Sequence, residues 1–142
     1  MTRMLTEKAI MQIKRETDYA IRCVFYLCGL KGEGIAMVDE ISAAMEIPKS
    51  FTAKILQKLS RSGIVTSFQG VKGGFKVAKE PYKISLLDVV VAIEGPLALN
   101  VCIDTEKACN LSMRCKIHPF WFQIRSGVEK VFQDLTFDKF LD

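Results

Sequence analysis

At Gly63 the spacing of apolar residues switches from a helical repeat to an extended one, and this switch constrains the fold more than any other feature of the chain. Upstream, Phe51, Ile55, Leu56 and Leu59 recur at three- and four-residue spacing, which predicts a helix over 49–62 that buries all four. Gly63 stands where a left-handed helix cap is favoured. Downstream, 64–68 and 75–78 are short β-branched and aromatic runs flanking Gly70-Val71-Lys72-Gly73-Gly74, the pattern of a hairpin. A shorter helix is predicted over 38–45, with Asp39 and Glu40 in its first turn, where carboxylates suit the helix dipole. Only Glu46-Ile47-Pro48 separates it from the next helix. Two helices joined by a few residues fit a helix-turn-helix, though any packed helix pair fits as well. The hairpin that follows at once reads as a wing. The expected class is mainly α with a small β-hairpin: a winged helix-turn-helix.

Charge supports that reading. From Pro48 to Lys79 there are seven basic residues and no Asp or Glu, a footprint suited to phosphate contact, whereas the net charge of +4 is too modest to argue from. The alternative is a solvated basic face. The candidate DNA-contacting residues are Lys49, Ser50, Thr52, Lys54, Lys58 and Arg61 on the helix, with Gly70, Lys72, Gly73, Gly74 and Lys76 on the wing. The paired glycines would let the backbone approach the sugar-phosphate chain closely.

The remaining elements place this unit in a single domain of 142 residues. Ala20, Cys23, Val24 and Leu27 predict a first helix over 18–30, with Thr17 as its N-cap. Ser85 with Asp88 three residues on predicts a capped helix that runs through Val89, Val90, Val91 and Ile93 and ends at Gly95-Pro96. Residues 97–117 have weak periodicity and read as a loop. A last helix starts near Pro119 and carries Trp121, Ile124, Val128, Val131 and Leu135, a coiled-coil-like seam that predicts a homodimer. The organisation expected is therefore an extension over 1–10, the winged unit over 11–83, a linker helix and cysteine loop over 84–117, and a dimerisation helix with its tail over 118–142. The longest apolar stretch, 21–30, is short and contains Arg22, so no membrane span is expected. Residues 1–10 lack the features of a signal peptide, and a cytoplasmic location is expected.

Five cysteines in such a chain are not read as a disulfide framework. Cys23 and Cys28 lie in the apolar first helix and read as core. Cys102, Cys109, Cys115 and His118 fall within one short segment and could close around a metal. From the residues alone three readings stand: structural zinc, a thiol switch, or an iron–sulfur cluster. His118 could equally cap the helix that follows. No nucleophile–base pair, phosphate loop or paired-acid site is present, which argues against an enzyme.

Together these segments resemble the Rrf2 family of bacterial winged-helix regulators. The resemblance rests on Met11-Gln12-Ile13 with Asp18-Tyr19-Ala20, on Ile64-Val65-Thr66-Ser67 with Gly70-Val71-Lys72-Gly73-Gly74-Phe75, and on Leu87-Asp88-Val89-Val90 with Ala92-Ile93-Glu94-Gly95. A homodimer bound to double-stranded DNA is expected, and its two-fold symmetry predicts a roughly palindromic operator. The resemblance also implies an iron–sulfur cluster, because the cysteine trio sits where cluster-bearing members carry theirs. In members with a [2Fe–2S] cluster a histidine shortly after the third cysteine is the fourth ligand, and His118 matches it. In members with a [4Fe–4S] cluster an aspartate near the start of the partner's first helix takes that role, and Asp18 matches it. The Cys102–Cys109 gap is one residue longer than the first pattern. The function implied is a transcriptional regulator whose DNA affinity follows redox, nitric oxide or iron–sulfur status. The alternatives are a cluster-free regulator using a thiol switch or small ligand, and a winged-helix module that binds proteins.

Overall fold

The computed structural model describes residues 13–30, 34–97, 99–100, 103, 110–111 and 113–141. Its elements in order are α1 (Arg15–Cys28), α2 (Val38–Met45), α3 (Lys49–Arg61), β1 (Val65–Phe68), β2 (Gly74–Val77), α4 (Leu86–Glu94) and α5 (His118–Asp134). Two single 3-10 turns, Pro81–Lys83 and Phe137–Phe140, flank α4 and α5. The chain is mainly helical with one antiparallel hairpin, as its periodicity predicts.

The core forms where the apolar stripes of α1, α2 and α3 meet: Ala20, Cys23, Val24 and Leu27 pack with Ile41 and with Ile55, Leu56 and Leu59. Two sequence expectations fail here for physical reasons. Thr17 does not cap α1, because the helix starts earlier, after an extended Lys14, and Thr17 lies within it, fully buried. Phe51 is not buried but half exposed. The inward stripe of α3 is Thr52, Ile55, Leu56 and Leu59, and Phe51, one residue off it, meets the Tyr19 ring edge-on at 6.0 Å.

The turn between α2 and α3 bends at Glu46, whose φ of 55° is left-handed. Two hydrogen bonds stabilise it: Ile47 N donates to Ser42 O at 3.0 Å, and Ser42 Oγ to Thr52 Oγ1 at 2.8 Å. In the wing, Val65 pairs with Val77 and Phe68 with Gly74. The outer edge of β2 is tied down by Ala36, which exchanges backbone hydrogen bonds with Phe75 at 2.9 and 2.8 Å. Backbone crowding explains the paired glycines. A Cβ on Gly73 would collide with Phe68 O across the turn, and one on Gly74 would lie 2.5 Å from Ala36 O. The close approach they permit is to Phe68 O within the wing and to Ala36 O on the segment paired with β2.

The cap predicted for α4 is present: Ser85 Oγ accepts from Asp88 N, and Asp88 Oδ2 accepts from Ser85 N. After α5 the chain returns to this point, with Leu86 N donating to Leu135 O at 2.9 Å and Phe137 N to Ile84 O at 3.0 Å. Phe137, in what periodicity leaves as a tail, is fully buried in the core.

Candidate nucleic-acid interface and thiol site

The outer face of α3 is built by exclusion. Its apolar residues and Thr52 face the core, so Ser50, Lys54, Gln57 and Arg61, spaced by four, three and four residues, form one exposed polar stripe. Lys54 and Arg61 have no ion-pair partner among the described residues, which leaves them free for phosphate or a base edge. Lys49 is held only by Asp39 at 3.3 Å, in a pair whose side chains are 69% and 71% exposed. Such a pair contributes about 0–1 kcal/mol and is readily exchanged for phosphate.

Two candidates are placed differently from the rest. Thr52 is fully buried, accepting from Ser42 and donating to Pro48 O, so it cannot reach DNA. Lys58 is half buried, and its Nζ binds Glu16 Oε1 at 2.6 Å. Gln57 was not among the candidates, because a count of basic residues passes over it while helical spacing finds it. Its amide, one donor and one acceptor side by side, suits the edge of an adenine. On the wing, Gly70 and Lys72 are exposed, and Lys76, Gly73 and Gly74 are partly covered.

Of the thiol-site residues, Cys102 and Cys109 lie outside the described residues. Cys115 is partly exposed on the turn leading into α5, where its N–H donates to Leu111 O at 2.7 Å. His118 opens α5 three residues later. Its Nδ1 is buried and has no hydrogen-bond partner among the described residues, and its ring stands edge-on to Phe122 at 5.0 Å. The Arg125 guanidinium lies over Phe122 at 5.1 Å and reaches back to Ile103 O, the neighbour of Cys102, at 3.4 Å. Asp18 is otherwise engaged: Arg22 binds its carboxylate at 2.8 Å and also donates to Met45 O at the end of α2.

Among the described residues no three His, Cys, Asp or Glu side chains converge as a metal site. What is described fits half of one, a partly exposed thiol and an unpartnered imidazole nitrogen near one helical turn. Thiolate and imidazole suit iron–sulfur clusters and zinc alike. The other two described thiols are of a different kind. Burial pushes Cys23 up to about 12 and Cys28 up to about 11, so both stay protonated and unreactive at neutral pH.

Helix α5 buries none of its residues within this chain. Trp121, Arg125, Val128 and Phe132 are half buried on one stripe, and α4 is the helix it packs against. Phe120, Ile124, Val131 and Leu135 remain exposed. The predicted seam is thus divided, with Trp121 and Val128 on the covered stripe and Ile124, Val131 and Leu135 outside it.

The sequence profile of the Rrf2 family, described as an iron-dependent transcriptional regulator, matches residues 13–142. The chain belongs to the Rrf2 family. An Aquifex aeolicus (strain VF5) protein described as an HTH-type transcriptional regulator is 31% identical over 83% of this chain and 83% of its own length. Protein aau3 of Rhizobium meliloti (strain 1021) is 31% identical over 90% of this chain and 83% of its own. Among solved structures, CymR, the global cysteine regulator of B. subtilis, superposes with a TM-score of 0.71 at 22% identity, covering 91% of this chain and 95% of that one. IscR of T. potens gives 0.68 at 20% identity, covering 90% and 84%. Both share its winged-helix fold. This Rrf2 protein is therefore a DNA-binding transcriptional regulator and not an enzyme. No helix among the described residues is long and apolar enough to cross a membrane.

Proposed function

We propose that this Rrf2 regulator acts as a homodimer on a palindromic operator and adjusts its grip through an iron–sulfur cluster held by Cys102, Cys109, Cys115 and His118. The observation that carries the proposal is the His118 Nδ1, buried without a hydrogen-bond partner among the described residues, three positions from Cys115. A buried ring nitrogen with no hydrogen bond is costly unless something binds it. Asp18 is the alternative fourth ligand, and its half-exposed pair with Arg22 would open for it at little cost. When bound, the cluster supplies electron transfer and sensitivity to oxidants.

The chain's own residues do the rest. Ser50, Lys54, Gln57 and Arg61 meet the major groove, and Lys72 and Lys76 meet phosphate beside it. The exposed Phe120, Ile124, Val131 and Leu135 of two copies cover each other, which places two reading heads about one helical turn of DNA apart.

Anaerobic purification followed by absorbance, iron and sulfide analysis tests the proposal. The expected result is a coloured protein with about two irons and two sulfides per chain, lost in Cys109→Ala and altered in His118→Ala. About four irons per chain would make Asp18 the ligand instead. A protein that stays colourless after reconstitution under reducing conditions would overturn the cluster. A second reading, a thiol switch at the same cysteines, is favoured by Cys115, which among the described thiols alone is not buried. It predicts a colourless protein whose DNA affinity changes on oxidation.

A further inference from the structure

Three consecutive residues in the first turn of α1 each hold a different helix. Glu16 binds Lys58 in the last turn of α3 at 2.6 Å. Thr17 Oγ1 donates to Glu94 Oε2 at 2.7 Å, and Glu94 is the last residue of α4. Asp18 binds Arg22, which donates in turn to Met45 O at the C-terminus of α2. The two links through Glu16 and Thr17 span 42 and 77 residues of sequence, so neither is a local capping contact.

Glu94 has a particular position. The chain leaves α4 at Gly95, whose φ is 84°, and passes directly into the segment that carries Cys102, Cys109 and Cys115. Glu94 is thus the last helical residue before that segment. Thr17 has no exposed surface, and its hydroxyl is fixed on Glu94, so the two residues move together or the bond breaks. A broken bond leaves a buried hydroxyl without this partner, at a cost of about 1–3 kcal/mol. Glu16 is adjacent to Thr17 in the same rigid turn and holds the reading helix by its last turn.

We infer that Thr17 and Glu94 are positioning residues that couple the cysteine segment to the reading helix α3, by way of Glu16 and Lys58. The inference rests on the proposed regulation of DNA binding at that segment and names the route it takes. Neither is one of the candidate DNA-contacting or metal-ligating residues. Their part is to set the angle of α3 against α1 in response to the segment following Gly95.

The test measures DNA affinity by fluorescence anisotropy, using a labelled duplex enriched from a random pool by the wild-type protein. Each protein is assayed twice: reconstituted anaerobically with ferrous iron and sulfide, and stripped with a chelator. Allosteric couplings typically change affinity by about 5- to 150-fold, and a wild-type ratio in that range is expected. Thr17→Val, which keeps the shape and removes the hydroxyl, is expected to bring the ratio to within about 2-fold of unity while both forms still bind. Glu94→Leu removes the acceptor at the other end, and the double variant should lose no more coupling than either single one, because the same bond is removed in all three. A purely structural role for Thr17 would weaken both forms alike and leave the ratio unchanged. A Thr17→Val ratio equal to the wild-type ratio overturns the inference and leaves the regulatory reading standing. A wild-type ratio of one overturns both.

Discussion

Phe137 offers the most direct test of how α5 is held. Its ring is fully buried among the core residues and meets Phe140 edge-on at 5.7 Å. Truncating a buried phenylalanine to alanine costs about 3–5 kcal/mol, combining lost transfer energy with the cavity left behind. For 142 residues the unfolding entropy is about 0.3 kcal/mol/K, so Phe137→Ala should lower Tm by about 10–17 °C. Phe140, 39% exposed, gives the contrast. Phe140→Ala loses the edge-on contact and a partial burial, together about 2 kcal/mol, and should lower Tm by about 7 °C. Thermal melts followed by circular dichroism, at matched concentrations because a dimer's Tm depends on concentration, would measure both. The chain after α5 is anchored to the core by Phe137 N donating to Ile84 O and Leu86 N to Leu135 O. A Phe137→Ala shift no larger than that of Phe140→Ala would refute it, and α5 would then be free to leave the domain.

Two further predictions address the reading head and the buried thiols. Lys72→Ala and Lys76→Ala should each reduce the slope of log affinity against log salt by about 0.9, measured by titration over a salt series, whereas Thr52→Val, at a buried site, should leave the slope unchanged. The pKa values of Cys23 and Cys28 rise on folding from 9.0 to about 12 and about 11, so their stabilising contribution is complete below pH 9 and is lost as pH rises above it. Each thiol should add a slope of up to about 1.4 kcal/mol per pH unit to the alkaline loss of stability. Urea midpoints at about pH 8 and about pH 10 should therefore converge in Cys23→Ala relative to the wild type.

How much of the molecule was legible followed from the range of the interactions involved. Local periodicity located α2 as Val38–Met45 and the hairpin to within a residue, since both are decided by nearest-neighbour sterics and alternating burial. The Ser85–Asp88 cap was legible too, because both of its bonds span three residues. The polar stripe of α3 was largely readable from the 3.6-residue repeat, with Gln57 as the residue that a charge count misses.

Contacts distant in sequence left no such trace. Thr17 has the residue type and place of an N-cap, and only the arrival of Glu94 from 77 residues away makes it an interior donor. Lys58 looks like its neighbours Lys54 and Arg61 until Glu16 is seen beside it. Thr52 is polar and sits among basic residues, yet its hydroxyl is buried because Ser42 supplies a partner across the helix turn. Gly73 and Gly74 suggested approach to a ligand, whereas the crowding comes from the carbonyls of Phe68 and Ala36. The sequence by itself determined the elements, the winged arrangement and the candidate ligands at Cys115 and His118, because each depends on residues within a turn or two of one another. Only the tertiary structure decided which polar side chains remain free for DNA or metal and which are occupied inside the fold. A hydrogen bond is satisfied by whichever group packing brings within 3 Å, and that group's place in the chain has no bearing on the outcome.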